Sequence, residues 1–264
     1  MKTIIKAYLK KILSQQQIEG FRSLFNYDVR DLNTFGYQVR DIVLRNCEIK
    51  KSRRGNGKVS IIIPTLSKDK QADHLPMLMR LLSEYLPNQI HKNYEAIVYC
   101  DGPNKMVEEM VTGLNDSRIK VYTTDQTLAK WGHPQTRMGI AAATGDFFVR
   151  MNDDNKPYKN YLHTLINSFD EEIGIAYGRV VYKGEARRVH GSSLVYSFVI
   201  PGDKMGQLKF RNIDCMNYMV KMDIARKYVD SWDDSFEADW RFLEALLKDG
   251  IKAKFCDKIV GEKY

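Results

Sequence analysis

Hydrophobic positions divide the chain into a helical N-terminal segment and a longer segment of alternating strand and helix patterns. Apolar residues recur at helical spacing in the first segment, at Ile4, Ile5, Tyr8, Leu9, Ile12 and Leu13, and again around Val39, Ile42 and Val43. The polar, glycine-containing run KKSRRGNGK at 50–58 then marks a linker. We therefore predict a helical N-terminal arm over residues 1–57 and one larger domain over 58–264.

Short apolar runs alternate with helical patterns from residue 59 onward. Strands are predicted at 59–63, 95–100, 118–122 and 146–151, and helices at 75–86, 106–114 and 134–143. Pro64 ends the first, mostly β-branched run, as expected for a central strand buried on both faces. The predicted fold class is α/β, with a mostly parallel central sheet flanked by helices.

The residues that follow the predicted strands are the candidates for a site, because ligands bind beyond the carboxyl ends of parallel strands. They are Pro64 and Thr65, then Asp101 and Gly102, and then the cluster 152–155, which reads Asn-Asp-Asp-Asn. The sequence contains no GxGxxG or GxxxxGKS loop, which argues against a dinucleotide-binding enzyme and a P-loop NTPase. A carboxylate-rich site without such a loop is typical of phosphate neutralisation by a divalent cation on oxygen ligands.

The acidic clusters also have purely structural interpretations. Aspartate and asparagine after a strand often serve as turn residues, because their side chains cap backbone groups. Acidic residues at a helix start, such as Glu237 and Asp239, are favoured by the helix dipole in any protein.

Composition and charge limit the function classes. The chain is 44% hydrophobic and 28% charged, and it lacks an apolar run of about 18 residues and a signal-peptide cleavage signature, so we expect a cytoplasmic protein that neither spans a membrane nor is secreted. Four widely spaced cysteines, at 47, 100, 215 and 256, suggest neither a disulfide framework nor a zinc site.

The net charge of +8 belongs to the N-terminal arm. Residues 1–58 contain 13 Lys/Arg and 5 Asp/Glu, whereas residues 59–264 contain 28 of each. A nucleic-acid groove needs basic residues along the binding face of the domain, so no nucleic-acid partner is expected. The pattern of residues 1–17 favours either peripheral contact with an anionic membrane at its inner face or packing against the protein or a second subunit of a homo-oligomer.

Four blocks in order resemble the catalytic domain of glycosyltransferase family 2 over roughly residues 58–260. They are VSIIIPTL at 59–66, IVYCDGPN at 97–104, RMGIAAATGDFFVRMNDDN at 137–155 and EADWRFLEALLKDG at 237–250. The resemblance implies a GT-A-type fold with a nucleotide-binding half at 58–156 and an acceptor half at 157–264. It also implies an inverting, metal-dependent transfer of sugar from a nucleotide-sugar donor, most often a UDP-sugar, to a hydroxyl of a glycan or lipid-linked acceptor.

The same resemblance assigns roles residue by residue. The donor nucleotide would be bound by Pro64, Thr65, Asp101, Arg137 and Asp153. Mn²⁺ or Mg²⁺ would be held by Asp154, with Asn152 in the first position of the family's acidic triplet, and Asp239 would be the general base. The sequence departs from the family pattern at Cys100, Pro103, Asn152 and Ala238.

Two alternatives to a glycosyltransferase remain open from the sequence. Asn152 and the acidic pair split by Ala238 would suit a non-catalytic relative that binds nucleotide or glycan. A sugar nucleotidyltransferase normally has a glycine-rich basic signature near its first strand, which IIIPTLSKDK does not provide. For the acceptor, Trp232 and Tyr218 either face the sugar or pack in the core.

Overall fold

The computed structural model describes residues 56–65, 71–183, 197–202 and 206–263. The predicted arm, apart from residues 56 and 57, therefore lies outside the described residues, as do its two predicted helical stretches.

The described residues contain helices and strands in alternation. The strands are β1 (Val59–Thr65), β2 (Tyr94–Cys100), β3 (Ile119–Thr123), β4 (Phe147–Arg150), β5 (Asn155–Pro157), β6 (Ile173–Lys183), β7 (Ser197–Ile200), β8 (Tyr218–Lys221) and β9 (Lys252–Lys263). The helices are α1 (Gln71–Arg80), α2 (Lys105–Leu114), α3 (His133–Ala142), α4 (Tyr161–Ile166), α5 (Met222–Lys227) and α6 (Ala238–Lys248). A π-helical turn, Leu81–Tyr85, continues α1, and short 3₁₀ turns occur at Lys130–Gly132, Cys215–Asn217 and Val229–Ser231.

One sheet joins these strands in the order β3-β2-β1-β4-β8-β6-β9-β5, and β7 pairs with β6. The strands from β3 to β4 are parallel, which confirms the predicted α/β class with helices at the crossovers. The second half is mixed: β8 runs antiparallel to β4 and to β6, and β9 runs parallel to β6. The four predicted strands correspond to β1 to β4, and the three predicted helices correspond to α1 with its π-helical turn, α2 and α3. Pro64 does not end the first strand as predicted, since β1 continues to Thr65.

Both faces of the sheet are buried. Successive side chains of a strand point to opposite faces, and in β1 the fully buried Ile61 and Ile63 belong to one apolar cluster, whereas Ile62 belongs to the other. The second cluster contains the aromatic rings of Phe148, Trp232 and Phe242. Burial on both faces is the predicted behaviour of the central strand.

A buried carboxylate, Glu95 in β2, joins three segments of the sheet. It accepts hydrogen bonds from the Ser60 hydroxyl at 2.7 Å, from the Thr144 backbone N–H at 2.7 Å, and from the ammonium groups of Lys58 and Lys120 at 3.0 Å each. Burial opposes ionisation, but these hydrogen bonds outweigh it and lower the pKa of Glu95 to about 2. Glu95 therefore stabilises the sheet as a charged group.

Membrane-spanning helices and disulfides were two features considered from the composition. No helix among the described residues is both long and apolar enough to cross a bilayer. Cys100, Cys215 and Cys256 are free thiols there.

Candidate functional site

The carboxyl ends of β1, β2 and β4 lie at one edge of the sheet. Thr65 is paired with Cys100, so Asp101 follows directly beside the end of β1. Ile62 is paired with Arg150, which places the turn after β4 at the same edge. The parallel register thus brings together the three groups of candidate residues that follow the strands.

The turn Asn152–Asn155 is held by hydrogen bonds that involve its own side chains. The Oδ1 atom of Asn155 accepts a hydrogen bond from the Asn152 backbone N–H at 2.7 Å, and the Asn155 N–H donates to the Asn152 carbonyl at 3.2 Å. The Asn155 amide also donates to Oδ1 of Asp154 at 3.3 Å. Asn155 therefore closes the turn, and the Asp153 carboxylate also accepts hydrogen bonds from the backbone N–H groups of Asp153 and Asp154.

Asp153 is buried against a histidine that the sequence patterns did not indicate. Its Oδ1 lies 3.1 Å from Nδ1 of His74, which α1 brings to the turn. Burial raises the pKa of Asp153, and His74 acts against that rise. A histidine 79 residues away has no local signal, because only the packing of α1 places it here.

Asp154 is a partly buried carboxylate that lies near two other carboxylates and one lysine. Its pKa is raised to about 6, chiefly by burial; Lys263 and His74 lower the pKa, whereas the neighbouring Asp153 and Asp214 raise it. A carboxylate that is partly desolvated beside two others favours the arrival of a cation.

Asp239 lies in the first turn of α6, and its Oδ1 accepts a hydrogen bond from the Trp240 N–H at 2.8 Å. Burial raises the pKa of Asp239, Asp214 adds to that rise, and Arg150 and Lys263 oppose it. Asp214 and Lys263 therefore act on both Asp154 and Asp239. The turn after β4 and the start of α6 belong to one electrostatic cluster.

Asp214 and Lys263 were missed by the sequence patterns. The Lys263 ammonium donates to Oδ2 of Asp214 at 2.5 Å, and Lys263 in β9 is paired with Asn155 in β5, next to Asp154. Asp214 also caps a 3₁₀ turn, since its Oδ1 accepts from the Met216 N–H at 3.1 Å. The partners are 49 residues apart in the chain, so only the mixed half of the sheet reveals the pair.

Arg150, the last residue of β4, supports the loop before α3. Its Nε donates to the Thr136 hydroxyl at 3.0 Å, and its Nη2 donates to the Trp131 carbonyl at 2.9 Å. The loop residues Ala129, Lys130, Trp131 and Gly132 all have positive φ. At Gly132 a Cβ would lie 2.5 Å from Cβ of Pro64, so this position requires glycine to let the loop approach the end of β1.

The Asp101 carboxylate forms most of its hydrogen bonds with the same loop and with α3. Its carboxylate accepts hydrogen bonds from the Leu128 N–H at 2.7 Å, the Ala129 N–H at 2.9 Å and Nε2 of Gln135 at 2.7 Å. A carboxylate has about four acceptor positions, so three of them serve the fold. Contact of Asp101 with a nucleoside stays a prediction.

The other residues predicted to bind the donor lie in two places. Thr65 and Asp153 line a small cavity together with His74 and Asn104, between the end of β1 and the turn after β4. Arg137 lies on α3, away from that cavity lining. Its Nη1 donates to the Trp232 carbonyl at 2.7 Å and forms an ion pair of 2.8 Å with Asp234. Its predicted role toward acidic groups or phosphate also stays a prediction.

The aromatic residues at the site differ from those that the sequence suggested. Trp232 and Tyr218 are fully buried, so the interpretation that they face an acceptor is wrong and core packing is correct. Both residues belong to the second apolar cluster, which also contains Phe148 and Phe242. Trp131 and Phe236 are exposed instead, by 57% and 74%, and their ring centroids are 5.7 Å apart.

The carboxylates fit a cation site in which the substrate and water supply some of the ligands. Among the residues that the structure describes, no three His, Cys, Asp or Glu side chains converge as a group that could hold a metal ion. Mg²⁺-type sites in phosphate chemistry are commonly built from one or two protein carboxylates, with phosphate oxygens and water as the other ligands. Asp154, a partly desolvated carboxylate near Asp153 and Asp214, matches that kind of donor set.

Comparison with known proteins matches the chain to glycosyltransferases. A family model described as Glycosyl transferase family 2 matches residues 60–229. A curated relative, the GalNAc(5)-diNAcBac-PP-undecaprenol beta-1,3-glucosyltransferase of Campylobacter jejuni, is 25% identical over 130 residues, which cover 48% of this chain and 40% of the relative. The match thus spans less than half the length of that protein.

Solved structures share the fold at low sequence identity. The mannosyltransferase PcManGT from Pyrobaculum calidifontis, solved with GDP-Man and Mn²⁺, gives a TM-score of 0.57 at 12% identity, covering 87% of this chain and 64% of that one. S. aureus TarS in complex with UDP-GlcNAc gives a TM-score of 0.53 at 16% identity, covering 78% of this chain and 58% of that one. At these identities the likeness concerns the fold alone.

Proposed function

Because the chain belongs to glycosyl transferase family 2, we propose that it transfers a sugar from a nucleotide-sugar donor to a hydroxyl of a glycan or lipid-linked acceptor, with inversion at the anomeric carbon. The observation that carries this proposal is that Asp154 and Asp239 share Asp214 and Lys263 as electrostatic neighbours. Within a single site, Asp154 can then act on the leaving diphosphate through a metal ion, and Asp239 can act on the acceptor hydroxyl.

The donor that we propose is a UDP-sugar. TarS has been solved with UDP and with UDP-GlcNAc, whereas PcManGT has been solved with GDP-Man, so the fold accommodates more than one nucleotide. Thr65 and Asp153, which line a small cavity at the strand ends, form the proposed donor set together with Pro64, Asp101 and Arg137.

Asp154, with Asn152 beside it, would hold Mn²⁺ or Mg²⁺ together with the donor diphosphate. Such an ion supplies Lewis-acid neutralisation of the departing diphosphate. The raised pKa of Asp154, caused first by burial and then by its acidic neighbours, is the property that supports this assignment.

Asp239 would act as the general base on the acceptor. As the acceptor oxygen forms its bond to the anomeric carbon, the bond from that carbon to the diphosphate oxygen breaks and its electron pair leaves with the nucleoside diphosphate. The acceptor proton passes to the Asp239 carboxylate, which is raised in pKa by burial and so is a better base than an exposed aspartate. The reaction requires no covalent enzyme intermediate.

The acceptor would approach past the exposed Trp131–Phe236 pair. Phe236 precedes Asp239 by three residues, so its ring lies at the start of the same helix. The Campylobacter relative is named for a polyprenyl-diphosphate-linked acceptor, and such an acceptor would bring the enzyme to a membrane surface. The basic arm at residues 1–17 would support peripheral attachment there.

The decisive experiment incubates the full chain with Mn²⁺, UDP- and GDP-sugars, and polyprenyl-diphosphate-linked saccharides. We expect nucleoside diphosphate to appear together with an extended acceptor for one donor. Binding of nucleotide without turnover across the panel would indicate a non-catalytic relative. In a parallel incubation that supplies a nucleoside triphosphate and a sugar phosphate, release of pyrophosphate would indicate a nucleotidyltransferase instead.

A further inference from the structure

Lys263, the last residue of β9, lies near the carboxylates of Asp154, Asp214 and Asp239. It belongs to β9, where it is paired with Asn155 of β5 on one side and with Tyr182 of β6 on the other. Its side chain is only 14% exposed, and its ammonium lies 5.6 Å from the centroid of the Tyr182 ring. Two neighbouring strands therefore fix the backbone of Lys263 beside the turn that contains Asp154.

The hydrogen bonds of Lys263 leave part of its ammonium available. An ammonium group has three donors, and within the described part of the chain its hydrogen-bond acceptor is Oδ2 of Asp214, at 2.5 Å. Asp214 is in turn fixed by its capping bond from the Met216 N–H. The cation is thus held in place by a carboxylate that is itself anchored, with donors remaining for another acceptor.

The electrostatic neighbours of Lys263 suggest that its ammonium group also binds a ligand. Lys263 interacts electrostatically with Asp214 and Asp154, and it also acts on Asp239. A diphosphate brought to this edge adds negative charge next to Asp153 and Asp154, and an incomplete metal site compensates only part of that charge. A lysine is well suited to bind phosphate as a compact charge.

We propose that Lys263 binds the diphosphate of the nucleotide sugar beside Asp154, and that Asp214 competes with this diphosphate for the Lys263 ammonium. This inference rests on the proposed function, since it assumes that a nucleoside diphosphate occupies the strand ends. It assigns to the C-terminal strand a donor-binding residue that the sequence motifs of the first half do not contain.

The competing interpretation is that Lys263 and Asp214 form only a structural ion pair. The two interpretations predict opposite effects for the two partners. If the pair is structural, Lys263→Met and Asp214→Asn both disturb the site and both weaken nucleotide binding. If Lys263 binds diphosphate, Asp214→Asn releases the ammonium and removes a repelling charge, while asparagine still accepts the Met216 N–H and caps the turn.

The test measures binding of UDP, GDP and uridine to the full chain in Mn²⁺ by calorimetry and ligand NMR. For the diphosphate that the wild type binds, we expect Lys263→Met to weaken binding by about 10-fold or more, the worth of one hydrogen bond to a charged group. Lys263→Arg should recover most of the affinity, and Asp214→Asn should bind at least as tightly as the wild type. Uridine, which lacks phosphate, should bind equally to all variants.

Lys252→Met is the matched control, because Lys252 lies on the same strand but forms a surface ion pair with Glu172 at 2.7 Å. It should leave UDP binding unchanged. Equal UDP affinity for Lys263→Met and wild type, or equal weakening of UDP by Lys263→Met and Asp214→Asn, would overturn the inference while the proposed function stands. Failure of the wild type to bind either diphosphate would overturn both.

Discussion

The indole N–H of Trp232 donates a hydrogen bond to Nδ1 of His133 at 2.9 Å, and both rings are buried. Burial lowers the pKa of His133 to about 4, and the nearby Arg150 adds to this effect, so the imidazole is neutral and its Nδ1 can accept. The bond connects the loop before α6, which leads to Asp239, with the start of α3. The position of the proposed base therefore depends on an interaction inside the core.

Trp232→Phe should destabilise the protein by about 2–4 kcal/mol, because it leaves the His133 nitrogen without a donor and removes buried ring volume. Urea denaturation of the full chain measures this change. An unaltered free energy of unfolding would show that the hydrogen bond and the packing of the indole contribute little.

Phe236→Ala is the counterpart on the surface. Its ring is 74% exposed, so its removal should alter the free energy of unfolding by no more than about 0.5 kcal/mol. If the Trp131–Phe236 pair receives the acceptor, the KM for the acceptor should rise while donor binding stays the same. Loss of donor binding instead would place this pair at the nucleotide.

The first half of the domain, residues 58–156, was predictable because its signals are local. A β-branched run ended by Pro64 identifies a buried strand, and parallel topology then implies that Thr65, Asp101 and the turn after β4 share one edge. Helix and strand periodicity identified β1 to β4 with little ambiguity. These inferences need only the neighbours along the chain and one general property of parallel sheets.

The second half, residues 157–264, was not predictable in the same way. β6 and β9 are long strands whose pairing contains register shifts, so the regular alternation of buried and exposed positions is interrupted. His74, Asp214 and Lys263 belong to separate segments of the chain. Their proximity results from tertiary packing, which local sequence patterns do not predict. The burial of Trp232 likewise depends on Phe148 and Phe242, which lie far from it in sequence.

Glu95→Gln should lower the free energy of unfolding near pH 7 by roughly 2 kcal/mol, because the amide cannot replace a carboxylate that holds two lysines and two hydroxyls. The folded-state pKa of Glu95, about 2, lies below its ordinary value of 4.5. Its stabilising effect is therefore complete above about pH 4.5 and is lost as the pH falls toward 2. Denaturation curves at several pH values measure the narrowing difference between variant and wild type.

The control for this experiment is Glu84→Gln, since Glu84 forms one exposed ion pair with Arg80 at 4.0 Å. Exposed pairs contribute little, so this variant should follow the wild type at every pH. A difference between Glu95→Gln and wild type that does not change with pH would contradict the electrostatic account.

Asp154→Asn should abolish Mn²⁺-dependent transfer and leave the fold intact, because a carboxylate at a strand end serves the ligand rather than the core. Removing a partly desolvated charge should even leave thermal stability equal to or above that of the wild type. Steady-state rates across a Mn²⁺ titration and a thermal melt measure the two effects. Undiminished transfer by the wild type after treatment with a chelator would rule out the metal-assisted mechanism.

The basic arm predicts reversible membrane binding. Residues 1–17 carry four lysines and no acidic residue before Glu19, and at about 1 kcal/mol per lysine the attraction to anionic lipid totals on the order of 4 kcal/mol. We expect the full chain to sediment with anionic vesicles at low salt and to be released at high salt, and a chain lacking residues 1–17 not to sediment. Equal, negligible sedimentation of both, with a loss of thermal stability in the shortened chain, would show that the segment packs on protein.

Asp239→Asn tests the proposed base and the alignment that identified it. Asparagine keeps the size of the side chain and can still accept the Trp240 N–H, but it cannot take a proton from the acceptor. We expect kcat to fall by about 10²-fold or more, the usual contribution of general-base catalysis, while the Kd of the donor stays nearly the same. Glu237→Gln is the matched variant, because Glu237 precedes α6 as its N-cap and makes no capping hydrogen bond with its side chain. It should retain activity, whereas the reverse result, an active Asp239→Asn and an inactive Glu237→Gln, would move the base to the other side of Ala238.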